Sequence, residues 1–169
     1  PDTRRGGADR HPAALRALAE ERGIVVLVPE SRGYTWDLLL GQVGPDLEFL
    51  QQAIDHVKAR VAVDRGRVAL SGFSDGASYA LTVGLRNRDV FTHVIAFSPG
   101  LAGPAGAPPW PEVFVSHGDG DGVLPVEAAR SIVARLLGEG CAVAYREFEG
   151  GHEIPAEVAR VAIDWFLGG

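Results

Sequence analysis

Three residue types are almost missing from this 169-residue chain: methionine is absent, cysteine occurs once as Cys141, and lysine occurs once as Lys58. A single cysteine excludes an internal disulfide and the paired-cysteine kind of zinc site. Without a methionine the chain does not open on an initiator. Its beginning is therefore expected to be missing or removed, together with any leader. That leaves the compartment open, with the cytoplasm slightly favoured. No apolar run approaches the roughly 18–20 residues that cross a bilayer, so no membrane span is expected. A basic footprint is also lacking. The net charge is −6, which argues against nucleic acid or an anionic membrane as a partner. The length suits one domain with a sizeable core, and oligomeric state cannot be read from it.

What is present is an alternation of strand and helix patterns. Pro12 to Arg22 reads as a helix, with Leu15, Leu18 and Ala19 on one stripe and Gly23 as its stop. Ile24–Val28 is a continuous apolar run, as expected of a strand buried on both faces. A loop over 29–37 and a helix over 46–60 follow. Strands are then expected at about 67–70, 90–97, 112–116 and 142–148, with helices at about 75–86, 126–137 and 156–167 between and after them. A Pro- and Gly-rich loop spans 101–111. There is no repeat, linker or low-complexity segment. The pattern implies an α/β fold, a mostly parallel sheet with helices on both faces.

The most informative stretch is Gly72-Phe73-Ser74-Asp75-Gly76, placed between a strand pattern and a helix pattern. A serine at such a strand–turn–helix apex holds its Oγ clear of the backbone, and flanking glycines leave room for a tight turn. Asp75 opens the helix, where its N–H is free to receive an oxyanion. G-x-S-x-G alone also describes an ordinary glycine-rich turn. The discriminating question is whether an acid and then a histidine follow, each just beyond a strand.

Both do. Asp119 and Asp121 follow the strand at 112–116, and His152 follows the strand at 142–148. In open α/β sheets ligands bind beyond the carboxyl ends of the strands. The order Ser, Asp, His at three such ends suits nucleophilic acyl transfer. The hydroxyl needs a base, and the base needs a carboxylate to fix its tautomer. Spacing does not choose between the two aspartates. His152, between glycines and a loop, reads poorly as a core histidine. His11 and His56 lie on helix patterns and His93 in a strand pattern, while His117 is expected to brace the loop carrying the acid. Asp119-Gly-Asp121-Gly122 resembles a calcium loop only faintly, since the remaining ligands are absent, so neither metal nor cofactor is expected.

Taken together, these pieces resemble the carboxylesterase/phospholipase group of small α/β-hydrolases, which includes acyl-protein thioesterase-like and polyhydroxyalkanoate-depolymerase-like serine esterases. The matching segments are Pro29-Glu-Ser-Arg-Gly33 with Trp36-Asp37, Val63-Asp64, Arg67 to Ala77, Ala96-Phe-Ser-Pro-Gly100, His117-Gly-x-x-Asp121-x-Val-Leu-Pro125 and Gly151-His-Glu-Ile-Pro155. The resemblance implies a single α/β-hydrolase domain over residues 1–169. It implies Ser74 as nucleophile, Asp121 as acid, His152 as base, and a small-molecule ester as substrate, thioesters and lysophospholipids being alternatives. Tyr34, Trp36, Phe73 and Trp110 are candidate walls of a substrate pocket, each equally well read as a packing residue.

One family feature has no match. A strand ending in His-Gly-x-Gly, expected between Ile24–Val28 and the elbow strand, is not found, although Gly6-Gly7 could be a remnant of its loop. That loop would donate the second oxyanion N–H. Its lack leaves three expectations: the strand lies outside this sequence, the flanking strands pair directly, or another chain supplies it. The first is preferred. It also motivates a contrasting reading, a non-catalytic binding module that keeps the hydrolase fold.

Overall fold

The computed structural model describes residues 10–41 and 44–168, so Gly6-Gly7 lie outside the described residues. In chain order the elements are α1 (Arg10–Glu21), a 3₁₀ turn (Asp37–Leu40), α2 (Pro45–Lys58), β1 (Ala69–Phe73), α3 (Asp75–Gly84), β2 (His93–Phe97), β3 (Glu112–Gly118), α4 (Val126–Glu139), β4 (Val143–Phe148) and α5 (Ala156–Phe166). The four strands form one parallel sheet in the order β1-β2-β3-β4.

Alternation along the strands assigns the two faces. Val94 and Ala96 of β2 and Val113 and Val115 of β3 pack with Ala77, Ala80 and Leu81 of α3 and with Ala129, Ile132 and Leu136 of α4. Ile95, Phe97 and Phe114 point the other way, onto Val158, Ala162 and Phe166 of α5 and Leu15 of α1. Strands covered on both sides must be apolar at every position, and β2 and β3 are buried almost throughout. Burying a side chain the size of Leu81 or Phe97 contributes about 1.5–3 kcal/mol. α2 lies on the α3 face, where Leu50 meets Tyr79 and Val83.

The expectation of a paired strand at Ile24–Val28 is corrected. The run has no regular secondary structure and joins no sheet, and the two flanking segments do not pair directly. Ile24 N–H closes the end of α1 on Ala19 O at 2.7 Å. Among the described residues, the Val25–Val28 backbone makes no hydrogen bond to other backbone groups. Val25, Val26, Leu27 and Val28 are 42–58 % exposed. An apolar groove of about 270 Å³ separates this run from β1. Leu15 and Ala19 of α1, Ile54 and Val57 of α2, and Leu70 of β1 contribute to its lining. Because the crossover from 24–28 to β1 runs through α2 on the α3 face, right-handedness puts the run beyond the free edge of β1. Pairing needs a neighbour at about 4.8 Å, and among the described residues none lies across the groove.

Candidate active site

At the carboxyl end of β1 the chain turns sharply into α3. Ser74 occupies the apex with φ 56 and ψ −119, a conformation costing a non-glycine residue about 1–3 kcal/mol. The surroundings hold it there. Ser74 N–H donates to Phe97 O at 2.9 Å, and its carbonyl accepts from Ala77 and Ser78 N–H at 3.0 and 3.1 Å. Among the described residues the Asp75 N–H has no acceptor, so it points out of the helix end as a free donor.

The two elbow glycines are not equivalent. A Cβ on Gly72 would collide with the backbone of Gly76 and Ala77, whereas a Cβ on Gly76 would meet only Trp36 Nε1 at 3.8 Å. The reading that both glycines make room for the turn therefore holds for Gly72 alone. Gly72→Ala should lower the melting temperature sharply or prevent folding. Gly76→Ala, in a helix, should be neutral or stabilising by up to about 1 kcal/mol. Thermal denaturation of the two variants checks this, and equal effects would contradict it.

The second half of the site is built where β3 and β4 end side by side. Asp119 N–H donates to Phe148 O, Gly120 N–H to Gly150 O, both at 2.9 Å, and Gly150 N–H to Asp119 Oδ1 at 3.2 Å. Gly118 has to be glycine here, since a Cβ would overlap the carbonyls of Gly150 and Gly151. This seam resolves the two aspartates. Asp119 braces the histidine loop, and Asp121 Oδ2 accepts from His152 Nδ1 at 2.7 Å. Oδ1 of Asp121 takes the Val123 and Leu124 N–H groups at 2.8 and 2.9 Å. Burial opposes ionisation of Asp121. The Leu124 N–H, His152 and the Val123 N–H outweigh it and hold the carboxyl below the usual range.

The His152 imidazole lies tilted against the Phe73 ring, with centroids 4.6 Å apart, which brings it beside the residue preceding Ser74. Among the described residues, no hydrogen bond joins Ser74 Oγ to His152. Trp36 stacks on Tyr79 at 4.3 Å, and Thr35 Oγ1 donates to Asp75 Oδ2 at 3.0 Å, so the 29–37 loop docks on the elbow. Two other pocket candidates are corrected. Tyr34 is 98 % exposed and walls nothing. Trp110 precedes β3, at the opposite end of the sheet, where its Nε1 donates to Gly106 O and its ring approaches Gly140.

A pair of buried carboxylates had no sequence signal. Asp46 Oδ2 accepts from Asp37 N–H and Asp37 Oδ2 from Asp46 N–H, both at 2.9 Å, and Asp46 Oδ1 takes Arg32 N–H at 2.8 Å. This exchange fixes the loop that carries Trp36 to the elbow. The groups lie nine residues apart with no motif between them. Only the acidic first turn of α2, with Asp46 after Pro45, hinted at a role.

Residues 47–131, just over half of the chain, match the family model named Esterase. The chain belongs to that family. The match holds Ser74, Asp75 and Asp121, and His152 lies beyond it on the loop after β4. Feruloyl esterase D of Neurospora crassa is 28% identical over 153 residues, which cover 89% of this chain and 51% of that protein. The Esterase-family chain thus spans about half the length of that relative. Among solved structures, esterase PE8 superimposes with a TM-score of 0.65 at 25% identity, covering 83% of this chain and 68% of that one. The Bacillus cereus carboxylesterase superimposes with a TM-score of 0.68 at 16% identity, covering 94% and 82%. The fold of this family member is therefore that of an α/β-hydrolase. None of its described helices is long and apolar enough to cross a membrane.

Proposed function

We propose that the chain forms a single α/β-hydrolase domain that cleaves carboxylic esters through an acyl-enzyme on Ser74. The observation that carries this reading is the Asp121–His152 contact of 2.7 Å, at the sheet end where Ser74 stands on a strained elbow. Ser74 Oγ attacks the ester carbonyl carbon while His152 Nε2 takes its proton. The Asp75 N–H receives the oxyanion. Collapse expels the alkoxide, which leaves as the alcohol with the proton from His152, and the acyl group stays on Oγ. Water, deprotonated by His152, then attacks the acyl carbon and releases the carboxylic acid, with the proton returned to Ser74. Asp121 keeps the His152 Nδ1 proton pointed at itself and stabilises the imidazolium. The name of the Neurospora relative makes a feruloyl ester a natural first substrate beside a short p-nitrophenyl ester. Thioesters and lysophospholipids are the runners-up with the same machinery.

A fluorophosphonate tests the reading: it should label the protein once, and peptide mapping should find the adduct on Ser74. Absence of label, or label elsewhere, sinks it. A second reading, a binding module without turnover, draws on two features of the described residues: no hydrogen bond joins Ser74 to His152, and no strand pairs with the outer edge of β1. It calls for no ester hydrolysis above buffer.

A further inference from the structure

Asp121 is the most heavily engaged side chain of the site, and one of its neighbours has no part in the chemistry above. The carboxylate is enclosed, as is the His117 side chain. His152 Nδ1 and His117 Nε2 approach the same oxygen, Oδ2, at 2.7 and 3.2 Å. His117 Nε2 also faces Leu124 O at 2.9 Å. A nitrogen facing two oxygens carries the proton. His117 Nδ1 is buried without a partner, and a proton placed there would have no acceptor. In its neutral form the ring therefore carries its hydrogen on Nε2. That hydrogen is shared between the Leu124 carbonyl and the oxygen on which His152 depends.

We propose that His117 is a positioning residue that moderates the basicity of His152 by sharing Asp121 Oδ2 with it. The proposal rests on the reading of His152 as general base. Negative charge on Oδ2 stabilises a protonated His152. A second N–H near the same oxygen draws on that charge and weakens its hold, keeping His152 free to give its proton up. His117 also clamps the Val123–Leu124 turn whose amides fill Oδ1, so the carboxylate cannot rotate away. Other charged groups near the histidine loop have partners of their own. Asp119 accepts from Gly150 N–H and Glu153 from Gly151 N–H. Glu147, the register partner of His117, is held by Arg130 and Tyr145.

Titrating the His152 ring by ¹H–¹⁵N NMR in the whole protein reads the effect without requiring turnover. His117→Leu removes the shared donor and should raise the His152 pKa by about one unit, a tenfold bias toward the protonated ring. The acid limb of kcat/KM should move up with it. His117→Gln keeps a donor within reach and should stay near the wild-type value. A role limited to packing predicts the opposite sign, because a loosened Asp121 stabilises the imidazolium less, so an unchanged or lowered pKa overturns the proposal. Should the leucine variant not fold, the wild-type ¹⁵N shifts of His117 decide. A charged ring or an Nδ1–H tautomer refutes the sharing. A correct titration in a protein that hydrolyses no ester would overturn the catalytic reading and leave this one standing.

Discussion

Ser74→Ala should lower ester turnover by on the order of 10⁴-fold or more, while the melting temperature stays within a few degrees of wild type. The two expectations follow from separate sets of atoms. The bonds that residue 74 itself makes are main chain: its N–H to Phe97 O, and its carbonyl to the amides of Ala77 and Ser78. Alanine keeps all of these and bears the same positive φ at similar cost. The one side-chain bond at that carbonyl, from Ser78 Oγ at 3.3 Å, comes from another residue and is retained. Only the Oγ nucleophile is lost. Steady-state hydrolysis of a p-nitrophenyl ester and a thermal melt make the comparison. Turnover within tenfold of wild type would point to a different nucleophile, and a collapsed melt would mean that Oγ supports the fold.

Asp121→Asn should cost about 10³–10⁴ in kcat and also reduce stability. Four N–H groups surround the carboxylate, two backbone amides at Oδ1 and two imidazoles at Oδ2. An asparagine must turn its NH₂ toward one of these pairs, so donor faces donor in either orientation, within an enclosed site. The pH dependence separates this from a generic packing defect. The folded-state pKa of Asp121 lies below the usual range, because Leu124 N–H, His152 and Val123 N–H overcome the contrary effect of burial. A depressed folded-state pKa contributes stability that is fully present above about pH 4 and is lost as pH falls through the folded value. The gap in melting temperature between wild type and variant should therefore be widest near neutrality and narrow in acid. A gap independent of pH would mean that Asp121 is not ionised in the folded protein.

The candidate site was more legible in the sequence than its supports. Ser74 and His152 stood out because each interrupts a regular pattern at a strand end, where few residue types have a packing reason to be. Spacing did not tell Asp119 from Asp121, since both lie on the same turn, and only the family resemblance chose Asp121. Their roles diverge only through the Gly150 amide and the His152 ring, which arrive from another strand. Trp110 was chosen by residue type, although its place before β3 already put it at the wrong end of a parallel sheet. Tyr34 looked equally suitable, and only solvent exposure tells it from Trp36. Ile24–Val28 was read as a strand buried on both faces, and only its apolar character held. Pairing, however, belongs to the neighbour as much as to the run, and a bare β1 edge cannot be seen in five residues. The Asp37–Asp46 exchange was invisible because reciprocal side-chain-to-amide bonds across a loop leave no periodic trace.

The seam between the ends of β3 and β4 has a dynamic consequence. Asp119, Gly120 and Gly150 are joined by main-chain bonds and one carboxylate contact directly beneath the Asp121–His152 pair. The proposed acid and base are thus tied to the inner strands, and their amides should exchange only when that part of the sheet opens. Ser74, the proposed nucleophile, stands on β1, which among the described residues is hydrogen-bonded along one side alone and is expected to open at lower cost than the inner strands. A fluctuation that frays the edge carries the nucleophile away from an acid–base pair that stays assembled. Isotope uptake would then be expected to reach the strand that presents Ser74 before the amides around His152.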